Sequence, residues 1–233
     1  GGMGEVWRAV DTSHDNRVVA LKLLGRWLSD DPAFARRFRR ESALAAKVSS
    51  PHMVSVHRYG DVEGRLFIDM QLVDGTDLGS ILDTQGPLDP TRAVEIIAQT
   101  AKALDTAHRA GLLHRDVKPS NILVTNDAGD DHVYLIDFGI ARAVEDTRIS
   151  VSEAVIGTLA YMAPERFAGE GDRSADIYAL GCVLHQALTG NTPFTATNPL
   201  HLLNAHQNLP PPPPSTLRPG VPTGMDEVVA TAL

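Results

Sequence analysis

The stretch LLHRDVKPSNILV, Leu112–Val124, is followed a few residues on by HVYLIDFGIA, His132–Ala141. Two apolar runs, 122–124 and 133–136, are joined by the turn NDAGDD, the pattern of a β-hairpin. Pairing them gathers the residues at the open end: Asp116, Lys118 and Asn121 ahead of the first strand, Asp137 after the second. Taken singly, an aspartate or a lysine is ordinarily solvated surface. Two carboxylates, an ammonium and an amide converging beside buried strands make a candidate site.

Working outward, the N-terminal part reads as sheet with one helix. Runs 6–10 and 17–24, joined by DTSHDN, predict a hairpin, and 53–58 and 66–73, separated by YGDVEGR, predict two more strands. Between them, over 32–48, Phe34, Phe38, Glu41, Ala45 and Val48 fall at helical spacing, so a carboxylate shares the apolar stripe. After VDGTDLGS the texture becomes helical. Residues 91–110 read as a long helix with Asp89 as N-cap, Pro90 at its first position and Gly111 as its stop, and 174–189 as a second closed by Gly190. The run LPPPPPSTLRPGVP, 209–222, excludes an interior helix or central strand and reads as a surface loop, with the apolar pattern resuming at Met225.

Composition bounds the function. The 233 residues are 43% hydrophobic, enough for a core. The formal net charge of −8 argues against nucleic acid or an anionic membrane as main partner. A single cysteine, Cys182, makes no internal disulfide and suits a reducing, cytoplasmic setting, and no apolar run is long enough for a membrane span. His201 and His206 lack the spacing of a zinc site.

With VALK at 19–22, HRDVKPSN at 114–121, DFG at 137–139 and APE at 163–165, the chain resembles the eukaryotic-type protein kinases, four motifs in order over its whole length. GGMGEVW, VIGTLAYMAPERF and DIYALGCVLHQALTG are most similar to actinobacterial serine/threonine kinases, receptor-like ones included. The resemblance implies an α+β, bilobal fold: a small, mostly antiparallel β lobe with one regulatory helix over 1–75, and a larger, mainly helical lobe over 76–233. It implies transfer of phosphate from ATP, with Mg²⁺ or Mn²⁺, to serine or threonine of protein substrates.

By that resemblance Lys22 holds the α and β phosphates, and Glu41 pairs with Lys22 in the active state. Asp116 orients the attacking hydroxyl, Lys118 steadies the γ-phosphate, and Asn121 and Asp137 offer the hard oxygens that Mg²⁺ prefers. Gly1, Gly2 and Gly4 belong to the phosphate loop. Val6 and Ala20 lie above the adenine and Leu123 below, with Met70 as gatekeeper and Gln71 to Val73 as hinge. Thr158 bridges Asp116 and Lys118 and marks a substrate segment. Asp176 braces the HRD backbone.

Arg115 calls for an anion, which a phosphorylated activation loop supplies in related kinases. Among Thr147, Ser150, Ser152 and Thr158, spacing from VIGT favours Ser150 and Ser152 as autophosphorylation sites, which implies pairing of two copies for reaction in trans. Only part of GxGxxGxV is present, so the first strand is expected to be missing, along with the last helices that carry an arginine partner for Glu165. Two other readings follow. One is a catalytically silent binding or regulatory module, from the short ends; the other is a small-molecule kinase, against which Lys118, Thr158 and Glu165 count.

Overall fold

The computed structural model describes residues 4–127, 129–139, 157–168 and 171–233, so Gly1, Gly2, Thr147, Ser150 and Ser152 lie outside the described residues. Strands β1 (Gly4–Asp11) and β2 (Arg17–Leu24), rich in valine and leucine, pair antiparallel with Val6 opposite Lys22 and Arg8 opposite Ala20. Gly4 is required by packing, because a Cβ there would strike the Leu23 carbonyl. Asp11 pins the hairpin turn, accepting from the Ser13 amide and hydroxyl and from Arg17.

The second hairpin is longer than its apolar runs. Strands β3 (Val56–Val62) and β4 (Arg65–Gln71) meet at Glu63 and Gly64, whose φ values of 51° and 73° are those of a tight two-residue turn. Tyr59 to Val62, expected in the turn, therefore extend β3. Met53 and Val54, expected in the strand, instead reach the other sheet, where Met53 bridges Leu135 and the Val54 amide donates to the Leu135 carbonyl at 3.3 Å. The four-stranded order is β1-β2-β4-β3.

Two helices serve this sheet, α1 (Arg26–Ser29) and α2 (Pro32–Ala45). The Asp31 side chain accepts from the Ala33 amide to cap α2, with Pro32 at its first position, and α2 stops short of Val48. Phe34 and Phe38 are completely buried, each contributing about 1.5–3 kcal/mol. Glu41 sits on the same stripe, half-buried.

The remainder is helical around a small sheet in the order β5 (Thr76–Asp77), β6 (Ile122–Asp127), β7 (Asp130–Leu135), so the inferred hairpin is present. Helix α3 (Leu78–Gln85) starts inside VDGTDLGS, where Asp77 accepts from the Ser80 amide. Helix α4 (Pro90–Arg109) has the expected Asp89 cap, and Gly111 follows it with φ of 76°. Helix α5 (Arg173–Thr189) is buried on nearly every side, which is why its sequence shows little amphipathic pattern. Helices α6 (Pro199–Asn208), α7 (Pro214–Leu217) and α8 (Gly224–Ala232) close the chain. The proline run passes over α5, where His185 Nε2 lies 3.2 Å from the Pro212 carbonyl. One core runs from Phe34 and Phe38 through Leu135 and Ile96 to Val183 and Leu188, giving a bilobal α+β fold.

Candidate active site

The segment between α4 and β6 is fixed from beneath. His114 is wholly buried, and desolvation holds its imidazole below the usual histidine range, so the ring is neutral. Its Nε2 donates to the Ile136 carbonyl at 2.9 Å, leaving Nδ1 to accept the Asp116 amide at 3.2 Å. Asp176, on the first turn of α5, accepts the amides of His114 at 2.8 Å and Arg115 at 2.7 Å, and His108 Nε2 at 2.8 Å. Burial works against ionisation of Asp176, but these bonds outweigh it and hold its carboxyl below the usual range. The expected brace of the HRD backbone is therefore present. It also stabilises Arg115 at a φ of 63°, a conformation that a non-glycine residue keeps only when its surroundings over-determine it.

On this support Asp116, Lys118 and Asn121 come together. Lys118 Nζ lies 3.0 Å from Asp116 Oδ2, and Asn121 Nδ2 donates to the Asp116 carbonyl at 2.7 Å and to Oδ2 at 3.1 Å. Asp137 stands at the end of β7 with φ of 56°. Just beyond, the Gly139 amide donates to the His114 carbonyl at 2.7 Å, so close that a Cβ would come within 2.5 Å of that oxygen.

The upper half of the site differs from expectation. Lys22 Nζ pairs with Asp137 Oδ1 at 2.7 Å, and Glu41 Oε1 with Arg115 Nη1 at 2.6 Å, so the expected Lys22–Glu41 pair is absent from this arrangement. The physical reason is that all four charges are partly buried and each needs a partner. Arg115, the cation in want of an anion, takes Glu41, and Lys22 takes the other carboxylate within reach.

Register places the remaining upper residues. Val6 lies opposite Lys22, Lys22 opposite Ile68, and Ala20 opposite Met70, so Val6, Ala20, Lys22 and Met70 share one face of the sheet. Val6 is 59% exposed. A cleft enclosing about 540 Å³ of space open to solvent runs between Lys22 and Asp137 and past Met70 to Phe38, Met53 and Phe138. Ala20 and Leu123 are outside its lining, as are Gln71 and Val73.

Thr158 lines a smaller cavity with Asp116, Arg115 and Asp176, and its carbonyl accepts the Tyr161 amide at 3.2 Å. Glu165 Oε1 accepts from Ser174 Oγ at 3.2 Å, where an arginine had been expected as its partner. Asn121 spends its amide nitrogen on Asp116, which turns its oxygen the other way. With the Asp137 carboxylate, that donor set fits a hard divalent cation. Sequence reasoning missed the Glu41–Arg115 pair, the Arg166 guanidinium that donates to the Arg115 carbonyl, and the tautomer of His114. Only the second had a signal, since Arg166 directly follows APE.

The protein kinase domain family model matches residues 1–213. The chain is 48% identical over 234 residues to serine/threonine-protein kinase PknE of Mycobacterium tuberculosis, covering 100% of this chain and 40% of that protein. It is 49% identical to serine/threonine-protein kinase PknH of Mycobacterium bovis, covering 100% and 39%. The chain thus spans about two fifths of the length of these curated relatives. Among solved structures, the kinase domain of Mycobacterium tuberculosis PknI is similar at a TM-score of 0.78 and 34% identity, covering 100% of this chain and 84% of that one.

Proposed function

The chain belongs to the protein kinase domain family, and on that premise we propose that it transfers the γ-phosphoryl group of ATP to serine or threonine hydroxyls of proteins. The observation that carries this reading is the assembled lower half of the site, with Asp116 set between Lys118 and Asn121 on a buried His114–Asp176 support.

In the transfer, the acceptor oxygen bonds to the γ-phosphorus as the bond to the β-phosphate bridging oxygen breaks, and ADP leaves. Asp116 orients the acceptor hydroxyl and takes its proton, while Lys118 sets its ammonium against the charge on the moving phosphoryl. Lys22 is the cation for the α and β phosphates. Val6, Ala20, Met70 and Leu123 are assigned to the adenine, Gln71 and Val73 to the hinge backbone, and Gly1, Gly2 and Gly4 to the phosphates. Thr158 belongs to the segment that receives the acceptor peptide. Asn121 and Asp137 would hold Mg²⁺ or Mn²⁺, which supplies charge neutralisation to the phosphates when bound. The lobes divide as 1–75 and 76–233.

The exchanged pairs support a resting state. A phosphate on Ser150 or Ser152 carries nearly two negative charges and competes with Glu41 for Arg115. Glu41 is then released to Lys22, and Asp137 is freed for the metal. Autophosphorylation in trans requires two copies to meet. The cytoplasm, where ATP is available, is the setting in which this acts.

The test is intact-mass spectrometry of the 233-residue chain with ATP and Mg²⁺ or Mn²⁺, beside Asp116→Asn. Added phosphate mapping to Ser150 or Ser152 in the parent alone is the expected result. Equal phosphate on both proteins, or none on either the chain or an added serine/threonine peptide, would sink the proposal.

A further inference from the structure

Beneath the turn that carries Thr158, α6 places His206 in a box of aromatic rings, with Phe194 at 4.9 Å, Tyr178 at 5.7 Å and Phe167 at 6.5 Å between centroids. The residue is only 5% exposed. Its Nδ1 lies 2.6 Å from Tyr178 Oη, whereas its Nε2 is buried and closes no hydrogen bond among the described residues. A buried polar atom left in that condition is costly and calls for a reason.

The reason lies in the turn above. The Thr158 carbonyl accepts the Tyr161 amide at 3.2 Å and the Leu159 carbonyl accepts the Met162 amide at 3.1 Å, two bonds that close residues 158–162 into a turn. The Leu159 carbonyl has a second lone pair. Leu159 shares a buried cluster with Phe194, whose ring meets His206, and with Leu202 of the same helix, and its backbone acts on the imidazole as an acceptor, favouring the protonated ring. A carbonyl only accepts, so the nitrogen that meets it must carry the proton. The phenol of Tyr178, which burial keeps from ionising, then donates to Nδ1 and fixes that tautomer.

We infer that His206 is a positioning residue for the acceptor-binding turn, its Nε2–H being the donor that engages the Leu159 carbonyl when the turn settles onto a peptide. This rests on the reading of Thr158 and its neighbours as the substrate segment. Burial pushes the His206 imidazole down to about 4, the Leu159 backbone opposing, so near neutral pH the ring has the single ring proton that the role requires. The same helical turn of α5 that carries Tyr178 carries Asp176, whose carboxylate holds the His114 and Arg115 amides. One turn of α5 thereby supports both the loop of Asp116 and, through His206, the turn of Thr158.

The experiment compares His206→Gln, which places an amide donor near the Nε2 position, with His206→Asn, whose amide reaches only as far as Nδ1. The Asn variant is expected to raise KM for a serine/threonine peptide about tenfold, the factor equivalent to one lost hydrogen bond, with KM for ATP unchanged. The Gln variant should recover most of that loss. Tyr178→Phe, which keeps the ring and releases the tautomer, should raise peptide KM about threefold, roughly half that free energy. Amide exchange at Met162, measured in the same proteins with the peptide bound and ATP left out, should quicken in the Asn variant and not in the Gln variant. Equal effects of Asn and Gln, KM for ATP moving in step with that for peptide, or unchanged exchange at Met162 would each overturn the inference. If the parent chain binds the peptide but transfers no phosphate to it, the proposed function fails by itself, while Met162 exchange in the peptide complex still decides the role of His206.

Discussion

Asp116 and Glu41 stand on opposite sides of one cleft and are secured in different ways. Asp116 sits in a run whose amides are taken by Asp176 and His114, and its own carboxylate meets Lys118 and Asn121 only two and five residues away. Glu41 reaches across to Arg115 through a single ion pair at 2.6 Å, on a helix anchored mainly by Phe34 and Phe38 nearer its start. The first arrangement uses short-range, buried, directional bonds that have no competing geometry. The second uses charge alone, and four charges admit two pairings. A lower half built for permanence faces an upper half built for exchange.

The sharpest way to break that contrast is at its fixed end. Asp116→Asn is expected to cut phosphate transfer by roughly 10²- to 10⁴-fold, the usual worth of a general base, with nucleotide affinity nearly unchanged. Transfer at the parent rate, followed with radiolabelled ATP, would mean that the lower half is scaffold rather than machinery.

Next comes the support. Asp176→Asn should lower stability by about 1–3 kcal/mol in urea melts, since the His114 and Arg115 amides lose a charged acceptor. The pH dependence follows from sign. His114 is held below its ordinary 6.5 and Asp176 below its ordinary 3.8, so the unfolded chain binds both protons more readily. The His114 contribution is present above pH 6.5 and is lost as pH falls below it, and that of Asp176 is lost in turn below 3.8. The asparagine variant should lack the lower loss; a melt series showing that loss intact would assign it elsewhere.

A smaller effect belongs to the exchangeable end. Arg115→Gln removes one of the two competing pairs, so Glu41 is expected to move to Lys22 and nucleotide affinity, titrated with ADP and Mg²⁺, to rise about threefold, within the range of a partly buried ion pair. A fall in affinity would show that the Glu41–Arg115 pair holds the cleft together rather than off. Least of all should come from Asp105→Ala, which breaks an exposed pair to Arg109 one helical turn away, 2.6 Å long. About 0.3–0.5 kcal/mol is expected, and a loss of several times that would mean that surface charge matters here as much as the buried pairs do.

Legibility in the sequence followed the range of the interaction. Helix α4 announces itself through Asp89, Pro90 and Gly111, and the β6–β7 hairpin through two apolar runs and a turn, because caps and alternation are local. Helix α3 was hidden because its cap, Asp77, lies in a polar stretch that reads as loop, and α5 gives no periodic signal because it is buried all round. The turn of β3–β4 moved because Glu63 occupies a positive φ that its residue type does not advertise.

By itself, the sequence determined the family, the order of the motifs and the lower half of the site, since Asp116, Lys118 and Asn121 lie within six residues and cannot avoid one another once β6 pairs. Alternation along β2 sets Ala20 and Lys22 on one face, but it is the register of the paired strands that brings Val6 and Met70 to that face. Only the tertiary structure decided which carboxylate each cation takes, and that His206 meets Tyr178 under the Leu159 turn. Those partners lie 28 to 115 residues apart. Charge and hydrogen-bond capacity are written in residue types, but the choice among compatible partners belongs to distance in the folded chain.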